Sequence, residues 1–200
     1  MKKKLLFIGI AFLLGISCWS QDKTNPIVYA EIFGGYSGGS SSGWTGGLEL
    51  NYQVKNNLLT GRYIGLTNLK HTSNLFIIPI YIDIENLNEY ALLYGKRYIY
   101  NNHSISFSSG VSYLDRNFLV NTDYNNPVYE YQKSIGFPFE FDIKWFKRKR
   151  ERFRIVYGLI PVGKPTSFGR SIGFKFYGDI SKTTFVGLGI TLGLGWHKKY

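Results

Sequence analysis

Cysteine is almost missing from this 200-residue chain. The only one, Cys18, falls inside an N-terminal apolar stretch. If that stretch is removed on export, disulfides and thiolate chemistry are excluded. Histidine is scarce as well. His71, His103 and His197 fall in a predicted loop, at a predicted hairpin turn and near the C-terminus, and no metal-ligand spacing links them. Carboxylates are the minority charge, 13 against 24 Lys and Arg. Long hydrophobic runs are absent too. Leu5–Ile16 is too short for a spanning helix, which needs about 20 residues, and nothing after it qualifies. A membrane-spanning reading therefore requires a closed barrel, because only closure satisfies every backbone group in lipid. The glycines alternate along strand-like runs and match no phosphate-binding fingerprint, so no cofactor is predicted.

What is present starts with a leader. Met1–Ser20 reads as a signal peptide: Lys2, Lys3 and Lys4 are its charged region, Leu5–Ile16 its apolar region, and Ser20 a small residue before the cut. Residues 21–200 are then the mature domain. Two other readings remain open: a buried helix, and a lipid-anchored chain cut before Cys18, although Gly15 stands where lipoprotein signals usually carry Leu. The mature part keeps 21 basic and 13 acidic residues, a net of +8. Such a balance fits nucleic acid, but an exported chain has little access to it, which leaves anionic lipid head groups. Tyr and Phe are abundant, sixteen and fifteen, and Tyr and Trp suit membrane–water boundaries.

Alternation of period two runs through the mature chain. It is cleanest in Phe185–Trp196, where Val186, Leu188, Ile190, Leu192, Leu194 and Trp196 alternate with Gly187, Gly189, Thr191, Gly193 and Gly195; Tyr200 keeps the apolar parity. Lys133–Lys147 is the next clearest, with Phe137, Phe139, Phe141, Ile143 and Trp145 against Glu140, Asp142 and Lys144, interrupted by Pro138. Ile27–Tyr36 places Glu31 opposite its apolar face. Trp44–Lys55 sets Leu48 and Leu50 against Glu49 and Asn51, and Leu58–Thr67 returns after an Asn56-Asn57 turn. Pairing Lys55 with Leu58 puts Leu50 opposite Tyr63 and Asn51 opposite Arg62. Glu89–Tyr100 and His103–Leu114 make a second hairpin around Asn101-Asn102, with Tyr90, Leu92 and Phe107 on one face and Glu89, Arg97 and several Ser on the other. Leu75–Ile84 (broken by Pro79), Phe153–Ile160 and Ile172–Ile180 complete ten strand-like runs.

Alternation alone does not say which face is inside. The small face decides for an apolar exterior: a solvated exterior favours Lys, Glu and Thr, whereas Ser and Gly leave room in a narrow lumen for charged side chains. The predicted lumen network is Glu31, Glu49, Arg62, Arg97, Glu140, Asp142 and Lys144, with Glu49 and Arg62 as the first candidate pair. The predicted lipid-facing residues include Leu48, Leu50, Phe139, Phe141, Leu188, Ile190 and Leu192. Lys96 breaks that face and is expected to snorkel at a rim.

The signal peptide, the alternating runs, the tight turns between longer loops, and the terminal Trp196 and Tyr200 together resemble the small outer-membrane β-barrels of Gram-negative bacteria. The resemblance covers the whole mature chain at the level of a superfamily. It implies an all-β, antiparallel up-and-down transmembrane barrel of eight strands, or alternatively ten, located in the outer membrane. An eight-stranded wall must leave two runs out: Leu75–Ile84, and either Phe153–Ile160 or Ile172–Ile180. The implied partners are outer-membrane lipids and the barrel-assembly machinery, with no nucleic acid. Both termini, the Asn-Asn turns, the basic Lys147–Arg152 turn and His197-Lys198-Lys199 then share one rim, where the basic clusters are either lipid contacts or ordinary solubilising turns. The longer loops Asn68–Asn88 and Asp115–Tyr131 face outward, where an external ligand is presented.

The expected role is structural or loop-mediated, without catalysis. A narrow pore or a route for small molecules is one alternative, and a soluble or lipid-anchored barrel with an apolar ligand inside is another. A lipid-modifying enzyme would need His, Ser and an acid near one rim; His71 with Ser73 is the one weak candidate. Glu140 and Asp142, about 7 Å apart on one strand face, are better read as partners of Lys144 than as an acid–base pair.

Overall fold

The computed structural model describes residues 27–75, 78–100, 102–121, 127–146, 152–155, 160–165 and 168–196; side chains are described outside 70–82, 152–168 and 196. The predicted signal peptide, Cys18, most of the Lys147–Arg152 turn and the His197–Tyr200 tail lie outside the described residues.

Among the described residues, ten strands run in sequence: β1 (Ile27–Gly39), β2 (Gly43–Val54), β3 (Asn57–Leu75), β4 (Ile78–Tyr100), β5 (His103–Leu119), β6 (Tyr129–Phe146), β7 (Arg152–Ile155), β8 (Ile160–Pro165), β9 (Phe168–Ile180) and β10 (Phe185–Trp196). Eight of them close an antiparallel barrel in the order β1-β10-β9-β6-β5-β4-β3-β2, and β7 pairs only with β8. Of the runs proposed for removal, Phe153–Ile160 leaves the wall. Ile172–Ile180 does not: it is the body of β9, paired on both sides. Leu75–Ile84 is no separate strand, because it forms the far end of the β3–β4 hairpin.

The register defines the barrel's geometry. Steps across paired residues from Ile32 through Leu48, Tyr63, Tyr90 and Tyr113 arrive at Ile135 on β6. Steps the other way, through Leu192 and Ile172, arrive at Trp145. The two paths miss by ten residues (135 against 145), which is the shear, and eight strands at that shear tilt by roughly 40°.

The β2–β3 turn sits one residue earlier than the Asn56-Asn57 reading. Val54 pairs with Asn57, and Lys55 takes the left-handed conformation at φ 55°. Leu48 therefore faces Tyr63, and Glu49 faces Arg62. The correction moves both strands by one, so face parity survives it. In the second hairpin Tyr100 pairs with His103, leaving two residues for the turn. Pro138, an oddity in the sequence, has a place: the β5–β6 ladder skips from Ser109↔Phe139 to Ser112↔Gly136, so its missing N–H falls in a gap. Pro79 lies beyond the last β4–β5 pair, on a strand with one neighbour.

The bulky apolar face points outward. Leu50 is 70% exposed, and its strand neighbour Glu49 is 2% exposed. The two rims differ. At the end holding both termini, β2–β3 and β4–β5 close in two residues. At the other end, hereafter the loop end, Ser40–Ser42 and Ser181–Thr184 are short, but β3 continues eight residues past its last partner in β2, about 25 Å along the strand. β4, β5 and β6 rise beside it, so one wall of the barrel stands tall and the other is low.

Candidate functional site

Among the described residues, the interior is where ionisable side chains concentrate. Period two turns Glu31, Glu49, Arg62, Glu89, Glu140, Asp142, Lys144 and Lys175 inward from six strands, and all eight are buried. They form one connected belt. Lys144 Nζ lies 2.6 Å from Glu31 Oε2 and 3.3 Å from Asp142 Oδ2. Lys175 Nζ contacts Asp142 at 2.9 Å, Glu49 at 2.8 Å and Glu140 at 3.4 Å. Arg62 donates from two nitrogens to Glu89 Oε1, at 3.0 and 2.7 Å, and lies 3.5 Å from Glu140. Neutral donors serve the same acids: Asn51 Nδ2 donates to Glu31, Thr60 to Asn51 in turn, and Ser106 to Asp142. Burying such charges is tolerable only because each cation is paired more than once.

Two features correct the sequence reading. Glu49 and Arg62 face each other in register, yet they are not partners: Arg62 turns to Glu89 and Glu140, and Glu49 takes Lys175 from across the lumen. Lys175 and Glu89 were absent from the predicted network. Glu89 was visible on the polar face of its strand. Lys175 became visible only once Ile172–Ile180 was accepted as wall, since Gly173, Lys175, Tyr177 and Asp179 then turn inward together. Arg97 is buried but apart from the belt. It donates to Gln53 and Ser104 and stacks 4.6 Å over the Tyr29 ring.

Buried apolar residues flank the belt above and below. Towards the loop end, Phe33, Ile64, Leu66, Leu87, Leu114, Tyr177 and Phe185 form one buried cluster. These seven come from six of the eight wall strands, so the cluster crosses the lumen. Large rings are admitted by glycines opposite them: a Cβ on Gly47 would lie 2.3 Å from the Phe33 ring, and one on Gly187 would lie 2.6 Å from Tyr177. Phe33 and Tyr177 meet edge to face at 5.1 Å. Above this layer, Glu85 is shared by Arg116, at 2.5 Å, and Ser41, while Thr183 donates to Gln132 at 3.4 Å. The two short turns are thus drawn over the mouth and tied to the tall wall, and Ser40 N bonds Thr184 O at 2.8 Å. Towards the termini, Ile27, Tyr29 and Leu58 pack with Ile99. An apolar ligand cavity would require the bulky face inward, which this fold does not have.

On the outside, Leu48, Leu50, Phe141, Leu188, Ile190 and Leu192 are exposed, and Phe139 is half-buried against Phe176 at 5.8 Å. Lys96 sits opposite Asn57, the first residue of β3, and donates to its Oδ1 at 3.0 Å, close to the terminal rim. Trp196 ends β10 opposite Val28; Tyr200 lies outside the described residues. The backbone at His71 and Ser73 belongs to the tall part of β3, opposite Tyr81 and Ile80. Among the described residues no His, Cys, Asp and Glu group has metal-binding geometry.

The sequence matches no protein-family model, and no curated protein matches it. Solved structures do match by shape. The N-terminal β-barrel domain of Pseudomonas aeruginosa OprF superposes with a TM-score of 0.51 at 11% identity, covering 87% of this chain and 100% of that one. Neisserial surface protein A gives 0.50 at 12% identity, over 86% and 96%. Ail, the attachment invasion locus protein of Yersinia pestis, gives 0.51 at 11% identity, over 88% and 99%. At such identities the likeness concerns the fold alone, and on that ground the chain has the architecture of the small eight-stranded outer-membrane β-barrels.

Proposed function

We propose that this protein is an outer-membrane barrel whose filled interior is a rigid anchor, and whose tall loop-end wall is the part that meets partners. No catalytic step and no passage through the lumen is assigned to it. The observation that carries the reading is the layered interior. A charged belt conducts only if water reaches it, and here apolar layers lie on both sides of it. The outward face supports the membrane location, since exposed Leu, Ile, Val and Phe cover the wall between rims marked by Tyr36 and Trp44 at one end and Tyr98, Tyr100 and Trp145 at the other. The external ligand, if it is met at Asn68–Asn88 and Asp115–Tyr131, is met by the segments that rise highest.

Two measurements test this. Membrane-fraction protein run boiled and unboiled in mild detergent is expected to differ in gel mobility and to sediment with the outer membrane; release in a soluble periplasmic extract without a shift overturns the location. In planar bilayers the folded protein is expected to give no stable conductance, and a reproducible open level overturns the sealed lumen.

A further inference from the structure

Charge is partitioned along the barrel. From residue 21 on, the lumen holds four cations and six carboxylates, a net of −2. The loop end, assigned by the strand ends that flank each segment, holds four cations and five carboxylates, a net of −1. The remaining thirteen cations and two carboxylates, a net of +11, belong to the wall near the terminal end and to sequence segments joined to it, several of them outside the described residues. That one end therefore exceeds the whole surplus of +8.

The chief contributor is the connection from β6 to β9. Phe146 ends one strand and Phe168 begins the other, so residues 147–167, 21 in number, span a gap on the side where the other two connections need two residues each. Membrane barrels of this type keep the turns at that end short. This one has seven cations and one carboxylate, a net of +6. Part of it is built as a hairpin in its own right: Arg152–Ile155 pairs antiparallel with Ile160–Pro165. Arg152 and Arg154 stand on one strand of it and Lys164 on the other. Arg170, exposed on the outer face, lies two residues into β9. The outward aromatics Trp145, Tyr98 and Tyr100 mark the edge of the apolar band at this rim. A basic hairpin is thus tethered within a few residues of the depth at which phospholipid head groups lie.

We propose that the β7–β8 hairpin is a docking element for anionic phospholipid, holding the terminal rim against the phosphate-bearing head groups of the leaflet on that side. The proposal rests on the membrane-spanning reading. Basic residues close to an anionic leaflet add their attraction nearly one by one, and salt weakens it. The near-neutral loop end offers no such attraction, so the preference belongs to one leaflet.

The test is lipid retention in native mass spectrometry. The full mature chain, folded in mild detergent, is equilibrated with equal amounts of phosphatidylglycerol and phosphatidylcholine of matched acyl chains. Retention of phosphatidylglycerol over phosphatidylcholine by roughly tenfold is expected. R152E/R154E/K164E takes the connection from +6 to zero and should lower the preference to about threefold or less, with the boiled–unboiled gel shift unchanged because the hairpin lies outside the wall. If that variant loses the shift, the milder R152Q/R154Q carries the same readout. Equal retention in wild type and variant overturns the proposal, as does an equal loss in the loop-end control K70Q/K133Q. Displacement of the lipid by excess inorganic phosphate, beyond the effect of chloride at matched ionic strength, assigns the hairpin to free phosphate and overturns the lipid source. Binding to isolated peptidoglycan without lipid preference overturns it too. Absence of the gel shift in the wild type sinks the barrel reading instead, so the two failures are distinguishable.

Discussion

The two faces of β10 share one backbone and live under opposite rules. Outward, Val186, Leu188, Ile190, Leu192 and Leu194 stand clear of one another. Inward, Gly187, Gly189, Gly193 and Gly195 are pressed by neighbours: a Cβ on Gly189 would lie 2.6 Å from the Gly34 carbonyl oxygen. Outward glycines elsewhere repeat the contrast, except Gly178, where a Cβ would lie 2.7 Å from the Phe139 ring. Gly61 points outward with nothing within 4 Å of an added Cβ. In a barrel this narrow, the convex side has surface to spare and the concave side does not, so residue size is freer outside and rationed inside, while charge is costly at mid-wall outside and accommodated inside.

The largest expected break comes from Lys175→Met. It leaves Glu49, Glu140 and Asp142 without their shared cation, and urea unfolding of the folded protein in lipid vesicles should show a loss of about 3–5 kcal/mol. An unchanged midpoint would mean that water reaches the belt. Leu50→Arg attacks the outer face with the same currency of charge. At mid-wall it should cost about 2–4 kcal/mol by the same titration, and less at positions nearer a rim. Gly187→Leu adds only bulk, against Tyr177 and Ser37, and should cost about 1–3 kcal/mol. Gly61→Leu adds the same bulk to the outer face. Its midpoint should stay within about 0.5 kcal/mol of wild type; a loss as large as that of Gly187→Leu would erase the distinction between the faces.

Much of this contrast was legible in the sequence and some was not. The outward rows of β2, β6 and β10 could be read because each keeps its bulky apolar residues on one parity. The resemblance carried by such rows, the turns and the predicted leader implied a closed wall of eight strands, or alternatively ten. The count of strands stayed open because Ile172–Ile180 and Phe153–Ile160 look alike as short apolar runs; only pairing with β6 and β10 separates a wall strand from a side hairpin. The apolar layers inside the lumen were hidden for a different reason. Phe33, Ile64, Leu66 and Tyr177 interrupt no pattern strongly, and their bulk makes sense only beside Gly47 and Gly187 on neighbouring strands. Register across one hairpin could be guessed to within two residues, with face parity kept. Partners across the lumen could not, since Lys144–Glu31 and Lys175–Glu49 depend on the closed shape. The two residues best placed by adjacency, Glu49 and Arg62, each found a better partner elsewhere.

The ties that cross the lumen also bear on the order of events in folding. Glu31 and Lys144 are 113 positions apart, and Glu49 and Lys175 are 126 apart. No hairpin formed early contains both members of either pair. Until β1 meets β10, the belt residues remain hydrated, and their charge keeps the unfinished inner face from sticking to itself or to lipid. Closure then dries all of them in one step. A seam that rewards only the last pairing makes half-built sheets unprofitable, and assembly should be slow, late and all-or-none.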